Sequence, residues 1–491
     1  MRVLVVGAGL SGLSAACYLA GAGYDVAVLE REPQPGGRAG TLSLDGYVFD
    51  TGPVVMTMPQ LLDDAIRALG ADPAAHVRMT QLDPAYRAVY ADGSEILVRA
   101  THAAMREEIA ATCGRRDAAA FDRFAAWLQR LYDAEMAPFI DTNYSSPLDL
   151  LTAPGAAARL LALGGLRRLG PTVAGFFDDE RLTRLFSFQA LYAGVAPQQA
   201  RALFAVITFM DAVSGVFFPE GGMRAVPRAL ASALAAAGVP LHYGVTVTEV
   251  LRRPDGAVVG VRTAGEEQLA AEAVVCTVDL PVAYDHLLPD VPAPRRVRRG
   301  SYSPSAVVWH VGVKGQPGPA VHHHNIHFGR QWAEAFEALI DRGELMPDPS
   351  RLVTVPSLTD PSLAPPGHST LYVLEPVPHL GGRVDWRVAA GPMRERLLGF
   401  LRQAGYPTDI HAERLVTPLD WQADGMHLGT PFALAHTFGQ SGPFRPGNID
   451  PRVPGLVFAG SGTTPGVGVP MVLISGKLAA ERVHAYLRPR G

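Results

Sequence analysis

The chain has 491 residues, of which 48% are hydrophobic and 18% are charged, as is usual for a globular protein. It is too long for one simple core, so we expect two or three domains. The net charge is only −4 and there is no basic run, so the composition gives no indication of nucleic-acid binding.

The sequence carries no predicted export signal or membrane span. Its first apolar run begins at residue 3, which leaves no room for the charged start of a signal peptide. No stretch reaches about 18 apolar residues without a charge. Cys17, Cys113 and Cys276 form neither a metal nor a disulfide pattern, which fits a reducing compartment. We therefore expect a cytoplasmic protein.

The N-terminal stretch predicts a nucleotide-binding βαβ unit. An apolar run over 3–6 leads into G-x-G-x-x-G, and a helical run and a second apolar run follow. The first glycine allows a tight turn, the second lets the backbone approach a pyrophosphate, and the third lets the helix pack on the strand. The helix N-terminus offers free N–H groups to phosphate. The predicted contacts are Gly7, Gly9, Leu10, Ser11 and Gly12.

Residues after the second strand extend this prediction. Glu30 ends that strand, 23 residues after Gly7, where an acid can bond a ribose hydroxyl. Arg31 follows it, and the loop then carries paired glycines and an arginine, which suit a diphosphate. A hairpin over 41–50 ends at another glycine. The predicted cofactor contacts here are Glu30, Arg31, Gly37, Arg38, Gly52 and Pro53.

The middle of the chain, 101–217, is helical in pattern and predicts an inserted domain. Within it, 147–177 is rich in Ala, Leu and Gly, and no acid occurs between Asp149 and Asp178. Its charges between those two acids are three arginines. Such a patch can lie on an anionic bilayer surface, and a buried helical hairpin is an equally good interpretation.

Strand patterns resume at 241–243, 245–252, 258–262 and 273–276, which predicts that the first sheet continues after the insertion. Val247 is a further predicted cofactor contact. Strands at 305–314 and 371–376 predict a separate substrate-side sheet. The histidines between 322 and 327 have no cysteine or acid at ligand spacing, so we expect no metal site.

The end of the chain predicts a second cradle for the same cofactor. A strand over 455–459 leads into a glycine-rich turn and a helix, with contacts expected from Gly460, Gly468, Val469 and Pro470. Pro465 stands where a third glycine would be needed, so this is not a second dinucleotide fingerprint. One dinucleotide, with no separate nicotinamide site, indicates FAD.

Together these patterns predict an α/β fold. We expect a discontinuous Rossmann-like FAD-binding domain over 1–100, 218–290 and 446–491. A helical membrane or lid domain would occupy 101–217, and a mixed-sheet substrate domain would occupy 291–445.

Several stretches resemble the bacterial-type phytoene desaturases, which are carotenoid-biosynthesis enzymes of the amine-oxidase-like flavoprotein superfamily. The resemblance runs nearly end to end. Two departures lie in the C-terminal turn, where Thr464 replaces a histidine and Met471 replaces a glycine. The matching stretches are 52–55, 185–188, 218–222, 324–329, 359–367, 375–380 and 462–470.

The resemblance implies stepwise oxidation of phytoene toward lycopene by FAD. A quinone or oxygen would accept the electrons, and phytoene would be drawn from the membrane lipid surface. Asp149 aligns with an acid of the family, although Thr152 stands where relatives carry a basic residue. Glu220 is a second candidate catalytic acid.

Other functions stay open at this point. A desaturase of diapophytoene or hydroxyneurosporene and a redox-neutral carotene isomerase are close alternatives. An amine oxidase is disfavoured because only Lys314 and Lys477 could supply the lysine typical of that chemistry. A non-catalytic carotenoid-binding protein would be expected to lack the intact fingerprint.

Overall fold

The computed structural model describes residues 1–488. Within them the strands, in chain order, are β1 Arg2–Val6, β2 Asp25–Glu30, β3 Thr41–Leu44, β4 Tyr47–Asp50, β5 Met79–Gln81, β6 Tyr86–Val89, β7 Glu95–Val98, β8 Phe217–Pro219, β9 Leu241–Tyr243, β10 Val247–Arg252, β11 Val258–Thr263, β12 Gln268–Ala270, β13 Ala273–Cys276, β14 Ser305–Lys314, β15 His324–His327, β16 Arg351–Thr354, β17 His368–Val377, β18 Asp409–Val416 and β19 Leu456–Phe458.

The α-helices of the same range are α1 Leu10–Gly21, α2 Gln60–Ala68, α3 His102–Thr112, α4 Arg115–Glu135, α5 Pro154–Ala162, α6 Leu169–Ala174, α7 Glu180–Leu185, α8 Ala205–Ala212, α9 Ala225–Ala236, α10 Leu280–Val282, α11 Arg295–Arg298, α12 Ala333–Phe336, α13 Trp386–Gln403, α14 Pro418–Ala423 and α15 Val469–Leu487. Short 3-10 and π turns connect several of them.

A five-stranded parallel sheet joins three distant parts of the chain. Its strand order is β19-β13-β1-β2-β9. Leu4 pairs with Ala27 on one side and Val274 on the other, and all three side chains are buried. Strands covered on both faces read as continuous apolar runs, which is why this sheet was predictable from sequence. The last three residues of the predicted segment 446–491 lie outside the described range.

Helix α1 packs on the sheet and against the C-terminal helix α15. The two helices approach so closely that a Cβ atom on Gly476 would lie 2.4 Å from the Ser11 carbonyl oxygen. Both ends of the chain therefore form one unit.

A seven-stranded mixed sheet, ordered β18-β14-β17-β16-β15-β6-β7, forms the second large layer. Helix α13 packs on one face through Trp386, Leu397 and Leu401. The hairpin over 86–98 pairs at the edge of this sheet, although sequence placed it inside the FAD-binding segment 1–100. A hairpin is specified locally, whereas the sheet it joins depends on distant pairing, here between β6 and β15.

The stretch 101–217 is largely helical and has a core rich in aromatic side chains. Phe121, Phe124, Phe177 and Phe186 pack on one another there. Segment 147–177 forms a 3-10 turn over Pro147–Thr152 followed by α5 and α6. Within residues 1–488, every helix is too short or too polar to cross a bilayer.

Candidate active site

One cavity of about 1680 Å³ lies where the parallel strands end. Val6, Glu30, Thr277 and Ala459, at or just after the carboxyl ends of four strands, all line it. Ligands of open α/β sheets bind at this edge. The volume exceeds the roughly 300–1,000 Å³ of ordinary ligand pockets, so the cavity has room for a dinucleotide and a second long ligand.

The glycine fingerprint forms the turn that sequence predicted. Gly7 has φ +103°, and a Cβ atom there would lie 2.2 Å from Thr277 Oγ1. A Cβ atom on Gly12 would lie 2.1 Å from the Gly7 carbonyl oxygen, so Gly12 is needed for packing. A Cβ atom on Gly9 would meet only Gly37 Cα, at 3.9 Å. Gly9 therefore faces the cavity and is the N-cap of α1, with no side chain capping the helix.

Glu30 is 6% exposed and holds the fingerprint turn as well as lining the cavity. Its Oε2 accepts a hydrogen bond from the Ala8 N–H at 2.6 Å, and its Oε1 accepts one from the Glu32 N–H at 2.9 Å. Backbone N–H groups of Ala8 and Glu32 thus fix the Glu30 carboxylate in place at the cavity edge.

The loop after β2 folds back onto the fingerprint. A Cβ atom on Gly37 would lie 3.1 Å from Gly9 Cα, so the two backbones touch without side chains between them. Arg38 donates to Asp279 Oδ1 at 2.9 Å, to the Pro431 carbonyl at 2.8 Å and to Ser461 Oγ at 3.1 Å. Arg38 thereby ties this loop to β13 and to the C-terminal turn.

The C-terminal turn supplies the second cradle. Gly468 has φ +114° and is the N-cap of α15, again with no capping side chain. Arg445 is 1% exposed and donates to the carbonyls of Ser461 at 2.6 Å, Thr463 at 3.0 Å and Leu434 at 3.1 Å. Burial lowers the pKa of Arg445 to about 9, so the guanidinium stays charged at neutral pH and fixes the turn.

These features fit a flavin dinucleotide. Two uncapped helix N-termini, α1 and α15, open on one cavity, and Arg38 lines it beside them. Uncapped N-termini bind anionic groups such as phosphate. Gly12 alone of the predicted cofactor residues is packed away from the cavity. The predicted residues that line it are Gly7, Gly9, Leu10, Ser11, Glu30, Arg31, Gly37, Arg38, Gly52, Pro53, Val247, Gly460, Gly468, Val469 and Pro470.

Much of the remaining cavity wall is apolar, and most of that apolar part comes from two layers. The helical stretch contributes one side and the seven-stranded sheet the other. The residues are Phe139, Ile140, Leu150, Leu160, Leu161, Leu166, Leu191, Leu203, Phe204, Ile207 and Met210 from the first, and Val308, Leu352, Tyr372, Leu374 and Val416 from the second.

The two acids proposed from sequence as catalytic are not among the residues that line this cavity. Asp149 caps the turn Pro147–Thr152, where its Oδ2 accepts from the N–H groups of Ser145 at 2.6 Å and Ser146 at 3.0 Å. Those bonds hold the pKa of Asp149 below its ordinary value. Glu220 is exposed in the turn after β8. The structure thus gives Asp149 a capping role and leaves Glu220 in solvent.

Four buried acids and histidines that sequence reasoning missed line the cavity: Glu135, Asp211, His310 and His436. Burial raises the pKa of Glu135 well above its usual range and that of Asp211 to about 7. Burial lowers the pKa of His310 to about 4 and that of His436 well below its usual value. Asp211 is the only charged residue in the run 202–213, and this signal could have found it.

Metal binding has no support in the described range. Among residues 1–488, no three His, Cys, Asp or Glu side chains are grouped to hold an ion. His323 Nδ1 instead contacts Thr359 Oγ1 at 2.6 Å, and His324 Nδ1 contacts Thr354 Oγ1 at 2.9 Å.

Comparisons with known proteins agree with this site. Residues 10–484 match the family model of the flavin-containing amine oxidoreductases. The chain is 50% identical to a phytoene dehydrogenase of Streptomyces griseus, over 98% of this chain and 95% of the relative. It is 36% identical to a zeta-carotene-forming phytoene desaturase of Myxococcus xanthus, over 100% of this chain and 95% of the relative.

A solved oxidoreductase from Methanosarcina mazei has the same fold, with a TM-score of 0.64 at 18% identity, over 98% of this chain and 100% of that one. The family is defined by a bound flavin, and the dinucleotide fingerprint makes that flavin FAD. The chain therefore belongs to the flavin-containing amine oxidoreductase family and, within it, to the phytoene desaturases.

Proposed function

We propose that this protein is an FAD-dependent phytoene desaturase of carotenoid biosynthesis. The observation that carries the proposal is a single cavity in which a dinucleotide cradle continues into a long apolar wall. Sequence identity of 50% to the Streptomyces phytoene dehydrogenase supports the same conclusion.

Bound FAD supplies the oxidising power, taking a hydride from the substrate. The chain's own residues hold and orient the reactants. In this proposal the fifteen predicted cofactor contacts that line the cavity bind FAD, with Gly9 and Gly37 giving the diphosphate access to backbone amides. Arg38 provides a fixed positive charge, and Glu30 bonds the ribose.

Phytoene has no polar group, so its affinity must come from burying apolar surface. Leu203, Phe204 and Ile207 on one side and Val308 and Leu374 on the other supply that surface. The dry wall also keeps water from the carbon atoms that lose hydrogen.

An amine oxidase activity is disfavoured by the position of both lysines. Lys314 is exposed at the end of β14, and Lys477 Nζ lies 2.6 Å from Asp141 Oδ2. Within the described residues, neither lysine lines the cavity.

The number of desaturation steps is the finer part of the proposal. We infer stepwise oxidation toward lycopene, with a quinone or oxygen as electron acceptor. The Myxococcus relative is named as zeta-carotene-forming, so the number of desaturation steps differs among the relatives. Thr464 and Met471, which depart from the family pattern, both line the cavity and could set this difference.

We also propose a division of labour along the chain. Segments 1–100, 218–290 and 446–491 bind FAD, apart from the hairpin over 86–98, which extends the substrate sheet. Segment 291–445 forms the substrate wall. Segment 101–217 closes the cavity and faces the membrane.

Membrane docking rests on exposed leucines beside the cavity wall. Leu148 is 71% exposed, Leu151 is 73% exposed and Leu161 is 59% exposed, whereas Leu150 lines the cavity. Arg167 and Arg168 are exposed nearby in sequence and could contact anionic headgroups. A peripheral position would let phytoene pass from the bilayer into the cavity.

Liposome flotation tests the docking surface. Because both leucine side chains are mostly exposed, L148S/L151S should fold normally yet bind vesicles containing anionic lipid less well. R167E/R168E should weaken binding to anionic vesicles more than to neutral ones. Unchanged binding by both variants would remove 147–177 from the proposed docking surface.

The function itself is tested by supplying phytoene in liposomes to the FAD-loaded protein and identifying products by chromatography. Diapophytoene and hydroxyneurosporene are the comparison substrates. Fastest conversion of phytoene supports the proposal, and conversion of only a comparison substrate would replace it.

A further inference from the structure

Each desaturation must release a proton as well as a hydride, and two buried acids line the cavity wall. Glu135 and Asp211 are each 4% exposed, on α4 and α8 respectively. A carboxyl group in an apolar cavity is costly, and a hydrocarbon substrate offers it no hydrogen bond. Their presence beside the substrate path therefore needs an explanation in the chemistry.

Asp211 is held in position by a buried tyrosine. Its Oδ2 accepts a hydrogen bond from the Tyr86 hydroxyl at 3.4 Å, and Tyr86 is 1% exposed on β6. The preceding residue, Met210, belongs to a packed cluster that includes Met471 in the first turn of α15. Asp211 thus lines the cavity one residue away from a side chain that packs against the first turn of α15.

The other cavity groups suit proton acceptance less well. Glu135 Oε1 has no hydrogen-bond partner among the described residues, and burial keeps its pKa well above its usual range, so it stays protonated. Burial lowers the pKa of His310 to about 4 and that of His436 well below its usual value, so both hold a proton weakly. A general base works best when its pKa is near the working pH, and the pKa of Asp211 is about 7.

We propose that the Asp211 carboxylate accepts the proton released in each desaturation, with Tyr86 as its positioning residue. One substrate carbon loses a hydride to the flavin. The neighbouring carbon loses a proton to Asp211, and the electron pair of that C–H bond becomes the new double bond. The inference rests on the proposed function and adds a residue to it.

Few titratable groups face Asp211 from the surrounding elements. Tyr86 comes from β6, and Tyr192, which contacts the Tyr86 hydroxyl, comes from the 3-10 turn Phe188–Ala193. His324 on β15 packs against the Tyr86 ring at 5.5 Å, and Glu135 comes from α4, which packs on α8. Burial lowers the pKa of His324, which favours its neutral form.

The test compares D211N, D211E, Y86F and E135Q by anaerobic single turnover, following flavin bleaching by phytoene as a function of pH. In the wild-type protein the rate should fall on the acid side with a midpoint near the Asp211 pKa. D211N should be slowed roughly 10²–10⁴-fold, as for loss of a general base, and should lose that acid limb. D211E should recover part of the rate.

The hydrogen bond from Tyr86 lowers the Asp211 pKa. Y86F keeps the carboxyl but removes that bond, so the Asp211 pKa should rise. Its acid limb should therefore move to higher pH, which a purely structural role for Tyr86 would not cause. Infrared difference spectra provide a second readout, since a protonated-carboxyl band should appear after turnover at alkaline pH and be missing in D211N.

Flavin content and thermal midpoint are measured for every variant to show that it is folded. If D211N folds poorly, the shift of the acid limb in Y86F and the infrared band of the wild-type protein still test the assignment. An unchanged rate and acid limb in folded D211N would overturn the assignment, as would loss of the limb in E135Q alone. If the wild-type protein desaturates no carotenoid, the proposed function fails instead.

Discussion

Replacing Gly9 by valine should remove FAD binding while leaving the fold intact. Gly9 has φ −73° and ψ 173°, which any residue adopts, and a Cβ atom there would have only Gly37 Cα within 4 Å, at 3.9 Å. The apoprotein should lose only about 1 kcal/mol, the usual cost of a poor N-cap residue.

The valine side chain would instead fill the gap between Gly9 and Gly37, where the diphosphate must meet backbone amides. Losing two charge-assisted hydrogen bonds of about 1.5–3 kcal/mol each removes about 3–6 kcal/mol of binding free energy. That corresponds to a dissociation constant roughly 10²–10⁴-fold higher. Flavin absorbance per protein after gel filtration, followed by FAD titration of the apoprotein, measures the change.

Two glycines serve as controls. G399V alters α13 where a Cβ atom meets nothing within 4 Å, and it should retain flavin. G12A would place its Cβ 2.1 Å from the Gly7 carbonyl oxygen, so it should lower the thermal midpoint of the apoprotein as well. If G9V kept full flavin with unchanged affinity, the diphosphate would not bind at the N-terminus of α1.

Three further outcomes are expected. R445L should lower the free energy of unfolding by about 2–4 kcal/mol, because the carbonyls of Leu434, Ser461 and Thr463 lose their donor. Denaturant titration measures this loss, and a loss below about 1 kcal/mol would contradict the prediction. R38A should weaken FAD binding roughly 10–100-fold through loss of one charge-assisted contact, and an unaltered titration would remove Arg38 from the site. Asp211 has a folded pKa raised from 3.8 to about 7, so its contribution to stability is present below about pH 4 and is lost as the pH rises through about 7. D211N should therefore gain stability relative to wild type between about pH 5 and pH 7, by up to about 1.4 kcal/mol per pH unit, and a difference independent of pH would contradict the raised pKa.

Local signals predicted the nucleotide-binding part of this protein well. Strands β1, β2, β13 and β19 read as continuous apolar runs because each is covered on both faces of a parallel sheet. The glycines of the fingerprint were readable because backbone geometry and close packing demand them. The pairing of the 86–98 hairpin with β15 was not readable, because register and partner are set by residues more than 200 positions away.

The buried acids of the cavity were harder to predict, because burial is a tertiary property. Ser146 and Asp149 have the spacing of a capping box, and the structure uses them in that way. Glu135 follows Phe124, Leu128 and Leu131 on the buried face of α4, so helical periodicity alone could have marked it as an acid in the core. Only the folded chain brings Glu135 and Asp211 to the same cavity as the FAD cradle.

We expect FAD bound at Gly9 and Gly37 to oxidise phytoene held against the apolar wall. Anaerobic mixing of FAD-loaded protein with phytoene in liposomes tests this directly, with chromatography of the extracted carotenoids. Flavin should bleach in proportion to the double bonds formed, and G9V should show neither bleaching nor new double bonds. Flavin that stays oxidised, or phytoene recovered unchanged from the wild-type reaction, would contradict this expectation.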